Sequence, residues 1–102
     1  MSQITPTELQ QKLEKVLLLD CREPWEHEAC AIAGSRLIPM KQVPQYVEEL
    51  KAETREIVVY CHHGMRSLSV VNYLRAQGVP ALSLSGGIDR WSQEIDAAVP
   101  RY

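Results

Sequence analysis

The sequence predicts an α/β fold in which helices cover both faces of an open parallel sheet. The runs VLLLD (16–20) and EIVVY (56–60) are short and almost uniformly apolar, as expected of strands that are buried on both sides. Segments of helical character alternate with these runs, and this alternation is typical of βαβ units in a parallel sheet. The 102 residues fit a single domain, 1–102.

Capping residues predict where the first helices begin. Thr5 has the character of an N-cap, Pro6 of a first helical residue, and Glu8 completes a capping box. Pro24 in REPWEHE and Pro44 in VPQYVEEL likewise predict the starts of two further helices, because proline lacks only an N–H that is unpaired there anyway.

The remaining elements follow from turn signals and apolar spacing. SRLIP (35–39) predicts a brief strand that Pro39 ends, and the segment from Ser67 predicts the longest helix. ALSLS (81–85) predicts another strand, after which two glycines, 86 and 87, form a turn into the last helix. Four strands are therefore predicted from the residues themselves.

Composition and charge exclude several classes of function. Lys and Arg total 11 against 13 Asp and Glu, so a net charge of -2 gives no basic field to attract nucleic acid. The N-terminal residues show no basic start followed by an apolar run, which argues against a signal peptide or membrane span. The three cysteines lack C-x-x-C spacing, so we expect reduced thiols in a cytoplasmic protein that binds neither nucleic acid nor a membrane.

The strand EIVVY runs directly into the segment CHHGMR, residues 61–66, which we call the Cys61 loop. Ligands of such sheets bind beyond the carboxyl ends of the strands, where a loop entering a helix turns its N–H groups inward and the helix adds partial positive charge. An anion fits this position, and the thiolate of Cys61 would itself be that anion, with Arg66 nearby to lower its pKa. Cys61 is therefore the candidate catalytic nucleophile.

Other residues of this segment are candidates for binding the substrate. Gly64 fits a tight loop. Ser67 can cap the following helix, and Val70 would then be the third residue of that helix. Because Val70 has no carboxylate, no side chain at this position would compete for the loop N–H groups. Adjacent histidines are poorly placed to share a zinc ion with Cys61, so we predict no metal and expect them at the mouth of the pocket. The predicted substrate-binding residues are Arg66, His62, His63, Gly64, Met65 and Ser67.

The spacing within the Cys61 loop separates two chemistries. Four residues lie between Cys61 and Arg66, one fewer than in the phosphate-binding loop of cysteine-dependent phosphatases. A smaller ring favours a thiolate that carries one extra sulfur over a tetrahedral phosphoryl group.

Three motifs in this order resemble the rhodanese family of sulfurtransferases over nearly the whole chain. They are Asp-x-Arg-x-x-x-Glu at Asp20, Arg22 and Glu26, the six-residue loop CHHGMR, and GGIDRW followed by the tail PRY. The resemblance implies a five-stranded parallel sheet and a persulfide mechanism without a cofactor. In that mechanism Cys61 takes a sulfane sulfur from a small donor such as thiosulfate and passes it to cyanide, a thiol or a carrier protein, while Arg66 holds the donor's sulfonate.

One segment departs from the family pattern, and two other functions stay open. Residues 30–35 read CAIAGS, whereas the family commonly has Gly-His-Ile-x-Gly-Ala. A phosphatase or arsenate reductase on the same fold is one alternative, although the short loop speaks against it. A non-catalytic interaction domain is the other, and retention of both Cys61 and Arg66 argues against that one.

For the residues outside the Cys61 loop we expect mainly structural roles. Asp20 and Arg22 are either supporting residues of the site or part of an ion-pair network with Glu26, and the sequence does not decide between these roles. His27 is expected to be a solvated helix residue. The two tryptophans, 25 and 91, are expected in the core, and Cys21 and Cys30 are expected to pack rather than to act as resolving thiols.

Overall fold

The computed structural model describes residues 2–102 and contains one five-stranded sheet whose strand pairs are all parallel. The order across the sheet is β1-β5-β4-β2-β3, with β4 in the centre. The strands are β1 (Gln3–Ile4), β2 (Val16–Asp20), β3 (Arg36–Leu37), β4 (Glu56–Tyr60) and β5 (Ala81–Leu84). The predicted α/β class with a parallel sheet is confirmed.

Strand β1 is the one strand that the residue pattern did not predict. It is two residues long, too short for any periodicity to be visible in the sequence. It is held at the sheet edge by backbone hydrogen bonds, with the Ser83 N–H donating to the Ser2 carbonyl and the Ser85 N–H to the Ile4 carbonyl, each at 2.8 Å. Pairing with a longer strand, rather than its own residues, makes this segment extended.

Residues 2–102 also form five α-helices and two 3₁₀ helices. The α-helices are α1 (Pro6–Lys12), α2 (Pro24–Ala29), α3 (Val47–Lys51), α4 (Met65–Ala76) and α5 (Gly87–Glu94). The 3₁₀ helices are Leu13–Lys15 and Met40–Tyr46. The predicted capping box of α1 is present, because Thr5 accepts the Glu8 N–H at 3.2 Å while Glu8 accepts the Thr5 N–H at 2.9 Å.

The predicted helix start at Pro44 is wrong. Pro44 lies inside the 3₁₀ helix, and α3 begins three residues later at Val47. Since proline cannot donate the hydrogen bond that an α-helical turn needs, the stretch before Val47 keeps the tighter 3₁₀ form.

The two faces of the sheet bury separate cores. Alternate residues of β2 and β4 point to opposite sides, so Leu19 and Val59 pack under α3 and α4 while Leu18 and Val58 pack under α1 and α5. Trp91 belongs to the second core and is 3% exposed, as predicted, but Trp25 is 62% exposed, so its predicted core position is wrong. Helix α2 presents Trp25 outwards because its inward-facing position is taken by the buried Glu26.

The register of the two central strands sets the geometry of the carboxyl edge. Asp20 of β2 is the partner of Tyr60 of β4, and the ladder continues with the Cys21 N–H donating to the Tyr60 carbonyl at 3.1 Å. Cys21 and Cys61 are therefore the next residues on neighbouring strand ends, on the face covered by α3 and α4. In residues 2–102 there is no helix long and apolar enough to span a membrane.

Candidate active site

Helix α4 begins at the Cys61 loop, three residues earlier than the sequence predicts. Its N-cap is Gly64, whose φ of 106° lies in the left-handed region that favours glycine, and its first residue is Met65. The predicted cap Ser67 is instead the third residue of the helix, so the predicted position of Val70 is also wrong. The Ser67 hydroxyl oxygen lies 3.2 Å from the Gly64 carbonyl oxygen and 2.8 Å from the Ser83 hydroxyl.

The Cys61 sulfur lies at the N-terminus of α4, where backbone donors point at it. The Gly64 N–H donates to the sulfur at 3.1 Å and the Ser67 N–H at 3.3 Å, while the Ser67 hydroxyl oxygen is 3.5 Å away. The neighbouring Cys21 thiol and these donors lower the pKa of Cys61 to about 4 against the opposing effect of burial. This lowered pKa favours the thiolate form of Cys61 at neutral pH, although the residue is 1% exposed.

Arg66, the predicted anion-binding residue, forms a bidentate ion pair with Glu26 of α2. Its two terminal nitrogens donate to the two carboxylate oxygens at 2.7 and 2.9 Å. The Arg66 guanidinium is the main reason that the pKa of Glu26 falls to about 2, so this carboxylate stays charged. Glu26 was predicted in a network with Arg22, and nothing in the sequence indicated its pairing with Arg66 of the Cys61 loop.

Asp20 and Arg22 form a second, fully buried ion pair behind the first. The Arg22 Nε donates to one Asp20 oxygen at 2.8 Å and a terminal nitrogen to the other at 2.7 Å. The same nitrogen donates to the Cys30 carbonyl at 2.7 Å, which ties strand β2 to the end of α2. His27 was predicted to be a solvated helix residue. That prediction is wrong, because its Nδ1 lies 2.8 Å from a carboxylate oxygen of Asp20.

Tyr102 connects the two ion pairs and covers the loop. Its hydroxyl donates to Glu26 at 2.6 Å and accepts from Arg22 at 2.8 Å. Its ring stacks on His62 with centroids 4.0 Å apart, and His63 stacks on the other side of His62 at 3.9 Å. The sequence tail PRY was the only signal for Tyr102, and it carried no indication of these contacts.

His62 and His63 were predicted at the pocket mouth and Met65 among the substrate-binding residues, and the three differ in exposure. His63 and Met65 are exposed, the latter to 79%, whereas His62 is half-buried in its ring stack. Burial and the neighbouring His63 lower the pKa of His62. The His62 Nε2 atom is buried and has no hydrogen-bond partner within residues 2–102.

His62, His63 and Asp89 also place three potential ligand atoms within 4.8 Å of one another. The two imidazoles, however, are stacked with an interplanar angle of 20°, so their in-plane lone pairs do not converge on one point. Asp89 is moreover paired with Arg101, whose Nε donates to it at 2.9 Å. This grouping therefore has the chemistry of a metal site but not its geometry.

Comparison with known proteins identifies residues 5–94 as a match to the family described as Rhodanese-like domain. The chain is 33% identical over 97 residues to the thiosulfate sulfurtransferase GlpE of Tolumonas auensis, which covers 89% of this chain and 91% of that protein. It is 35% identical over 97 residues to a sulfurtransferase of Allochromatium vinosum, with 91% and 90% covered. A longer relative from Arabidopsis thaliana is matched over 31% of its length.

Solved structures give the same result for the fold. The crystal structure of a rhodanese-related protein from Thermoplasma volcanium has a TM-score of 0.85 to this chain at 29% identity, with 93% of this chain and 94% of that chain covered. Sequence motifs, sheet topology and these matches agree: the chain belongs to the rhodanese-like domain family.

Proposed function

We propose that this protein is a sulfurtransferase that carries sulfur as a persulfide on Cys61, with thiosulfate as its donor. The observation that carries the proposal is the environment of the Cys61 sulfur, which receives two backbone N–H groups at the start of α4 and has its pKa lowered to about 4. A thiolate held in this way is a ready nucleophile at neutral pH.

The first half-reaction transfers one sulfur atom to the enzyme. The Cys61 thiolate attacks the outer sulfur of thiosulfate, a new S–S bond forms, and the old S–S bond breaks as sulfite leaves with its electron pair. In the second half-reaction a nucleophile attacks the outer sulfur of the persulfide, and Cys61 returns as the thiolate. The N–H groups of Gly64 and Ser67, which donate to the Cys61 sulfur, stabilise the thiolate that begins and ends this cycle.

Arg66 is the proposed binding group for the sulfonate end of the donor. In the free protein its guanidinium is bound to Glu26, so an anionic donor competes with a carboxylate that is already in place. Because Tyr102 also donates to Glu26, the carboxylate keeps a hydrogen-bond partner when Arg66 turns to the donor. Asp20 and Arg22 support the site by holding Tyr102 in position.

The acceptor is proposed to approach past the exposed side chains of His63 and Met65. The proposed acceptor is a small nucleophile such as cyanide or a thiol, or a nucleophilic group of a carrier protein. Within residues 2–102 all three cysteines are free thiols, which fits the proposed cytoplasmic setting.

Intact-protein mass spectrometry tests the proposal directly. Reduced protein is treated with thiosulfate, weighed, mapped by peptide analysis and then treated with cyanide. We expect the gain of one sulfur atom on Cys61 and its removal by cyanide as thiocyanate. If Cys61 gains no sulfur while it still reacts with iodoacetamide, the donor assignment is wrong, and hydrolysis of p-nitrophenyl phosphate would then support the phosphatase alternative.

A further inference from the structure

We propose that Cys21 is an internal resolving thiol that discharges the Cys61 persulfide as sulfide and leaves a Cys21–Cys61 disulfide. This inference rests on the proposed function, because it needs the persulfide as its starting state. It assigns a chemical role to a buried thiol for which the sequence analysis expected only packing.

The strand register places the two cysteines within reach of each other. Asp20 and Tyr60 are partners on neighbouring parallel strands, and the Cys21 N–H continues the same ladder by donating to the Tyr60 carbonyl at 3.1 Å. Neighbouring strands lie about 4.8 Å apart. This spacing lies within the range of about 4.4–6.8 Å between the Cα atoms of residues that a disulfide joins.

Both side chains also point in the same direction. They belong to the same core under α3 and α4, and each is 1% exposed. The Cys21 thiol is the leading cause of the lowered pKa of Cys61, and in return the pKa of Cys21 is raised, so in the resting protein Cys21 holds the proton. A resolving thiol placed here needs no access to solvent, because its reaction partner is the neighbouring side chain.

The formation of the persulfide changes the charge that Cys21 faces. The Cys61 sulfur becomes the uncharged inner atom of an S–S bond, and the negative charge moves one atom outwards. The thiolate that disfavoured deprotonation of Cys21 is then no longer its direct neighbour, so Cys21 loses its proton more readily than in the resting state.

The step balances without an external oxidant. The Cys21 proton passes to the negatively charged outer sulfur, and the Cys21 thiolate attacks the inner sulfur of the persulfide. The Cys21–Cys61 bond forms as the bond to the outer sulfur breaks. The outer sulfur leaves as hydrosulfide and is reduced from sulfane to sulfide, while the two cysteine sulfurs are oxidised to the disulfide. A small-molecule thiol or dithiol then reduces the disulfide, so that the full cycle converts thiosulfate and thiol to sulfite, sulfide and disulfide.

Cys30 provides the matched control. It is also buried, but it lies in the core on the opposite face of the sheet, and its sulfur is 4.0 Å from a terminal nitrogen of Arg22. Cys30→Ser removes one buried thiol from the same protein without touching the pair, so it is expected to behave as the wild type.

The test is a single turnover without acceptor, under nitrogen. Each protein is loaded with thiosulfate, passed through a desalting column and followed by sulfide assay and intact mass. In the wild type and in Cys30→Ser we expect release of one sulfide per chain, with loss of the added sulfur and of two hydrogen atoms, and a cross-linked peptide joining Cys21 to Cys61. In Cys21→Ser we expect the persulfide to persist, with sulfide release slowed on the order of tenfold or more.

The outcomes separate this inference from the proposed function. If Cys61 takes up sulfur but the wild type keeps it as long as Cys21→Ser does, the resolving role is wrong and the sulfurtransferase proposal stands. If no protein takes up sulfur, both are wrong. The peptide map of the wild type is decisive even if Cys21→Ser fails to fold, because a persulfide that decays without a Cys21–Cys61 cross-link contradicts the inference.

Discussion

Helices α4 and α5 begin in similar ways, yet their N-termini are used for different purposes. Helix α4 follows β4 and helix α5 follows the neighbouring strand β5. Each helix is capped by a glycine of positive φ, Gly64 at 106° and Gly86 at 78°. At α4 the free N–H groups point at the Cys61 sulfur. At α5 the first N–H groups instead donate to backbone carbonyls of the Cys61 loop, from Ile88 to Cys61 at 2.9 Å and from Asp89 to His62 at 3.1 Å.

The difference between the two helix starts lies in the atom that each N-terminus meets. The N-terminus of α4 meets a thiolate and stabilises its charge, whereas that of α5 meets carbonyl oxygens and fixes the shape of the loop. We propose that α4 stabilises the reactive thiolate and that α5 holds the Cys61 loop in the shape that this requires. The variants below separate the two contributions.

Replacement of Cys61, whose sulfur is the anionic atom at the start of α4, is expected to have the largest effect on activity. In Cys61→Ser a hydroxyl stands where α4 now meets a thiolate, and it stays protonated at neutral pH, so no persulfide forms. We expect thiosulfate:cyanide sulfur transfer to fall to the uncatalysed background while the far-UV circular dichroism spectrum shows that the fold is kept. Wild-type turnover in this variant would show that another residue is the nucleophile.

A side chain at the start of α5 should break the support of the loop. A Cβ atom on Gly87 would lie 2.5 Å from the Cys61 carbonyl oxygen and closer still to that of His62, and the φ of 63° disfavours any L-residue. We expect Gly87→Ala to lower the free energy of unfolding by about 2–4 kcal/mol, measured by urea denaturation.

Gly34 serves as the control for backbone strain alone. Its φ is 85°, but a Cβ atom there would meet no atom within 4 Å. Gly34→Ala should therefore cost only about 1 kcal/mol. Equal losses in the two variants would mean that the collision with the loop is unimportant.

Removal of the Arg66 guanidinium tests whether this residue binds the donor. In Arg66→Ala the donor loses its proposed cationic partner, so we expect the KM for thiosulfate to rise by about 10- to 100-fold. The rate of Cys61 alkylation by iodoacetamide, which has no sulfonate, should change much less. An unchanged KM would contradict the assignment of Arg66 to the donor.

The smallest effect is expected from removal of the Ser67 hydroxyl, whose oxygen lies 3.5 Å from the Cys61 sulfur. Alkylation requires the thiolate, so its rate in the wild type should fall as the pH drops through about 4, the pKa of Cys61. Ser67→Ala removes one stabilising group but keeps both N–H donors, and we expect the midpoint of this pH profile to rise by roughly half a pH unit. A profile that does not move would assign the low pKa to Cys21 and the backbone donors alone.

The same pKa predicts a pH dependence of stability. Because the pKa of Cys61 is lower in the folded protein than its ordinary value of about 8.5, the thiolate stabilises the fold fully above that ordinary value. This contribution is lost progressively as the pH falls toward about 4. Cys61→Ser lacks a titrating group here, so the difference in unfolding free energy between wild type and variant should shrink as the pH is lowered.

The parts of the molecule that depend on local pattern were predictable. The apolar strands β2 and β4, the capping box at Thr5 and the position of Cys61 beyond a strand end all follow from short stretches of sequence. Strand β1 could not be predicted this way, because two extended residues show no periodicity and only their pairing with β5 makes them a strand.

The contacts around the Cys61 loop depend on residues that are distant in the chain. The partner of Arg66 is Glu26, forty positions away, and the ring on His62 is that of Tyr102. Nothing in the spacing of these residues indicates that they meet, since their contacts arise from how α2 and the C-terminal segment pack at the edge of the sheet. His27 and Trp25 were misassigned for the same reason.

The two tryptophans lie in opposite environments, so intrinsic tryptophan fluorescence can report on the site. The Trp25 indole is solvated and sits edge-on to Tyr102 at 6.0 Å, while Trp91 is enclosed in the core under α1 and α5. Emission from Trp91 should therefore be a constant background at shorter wavelength, and emission from Trp25 should respond when the ring of Tyr102 shifts. Titration of thiosulfate against the red edge of the fluorescence spectrum would then follow occupancy of the loop without any added label.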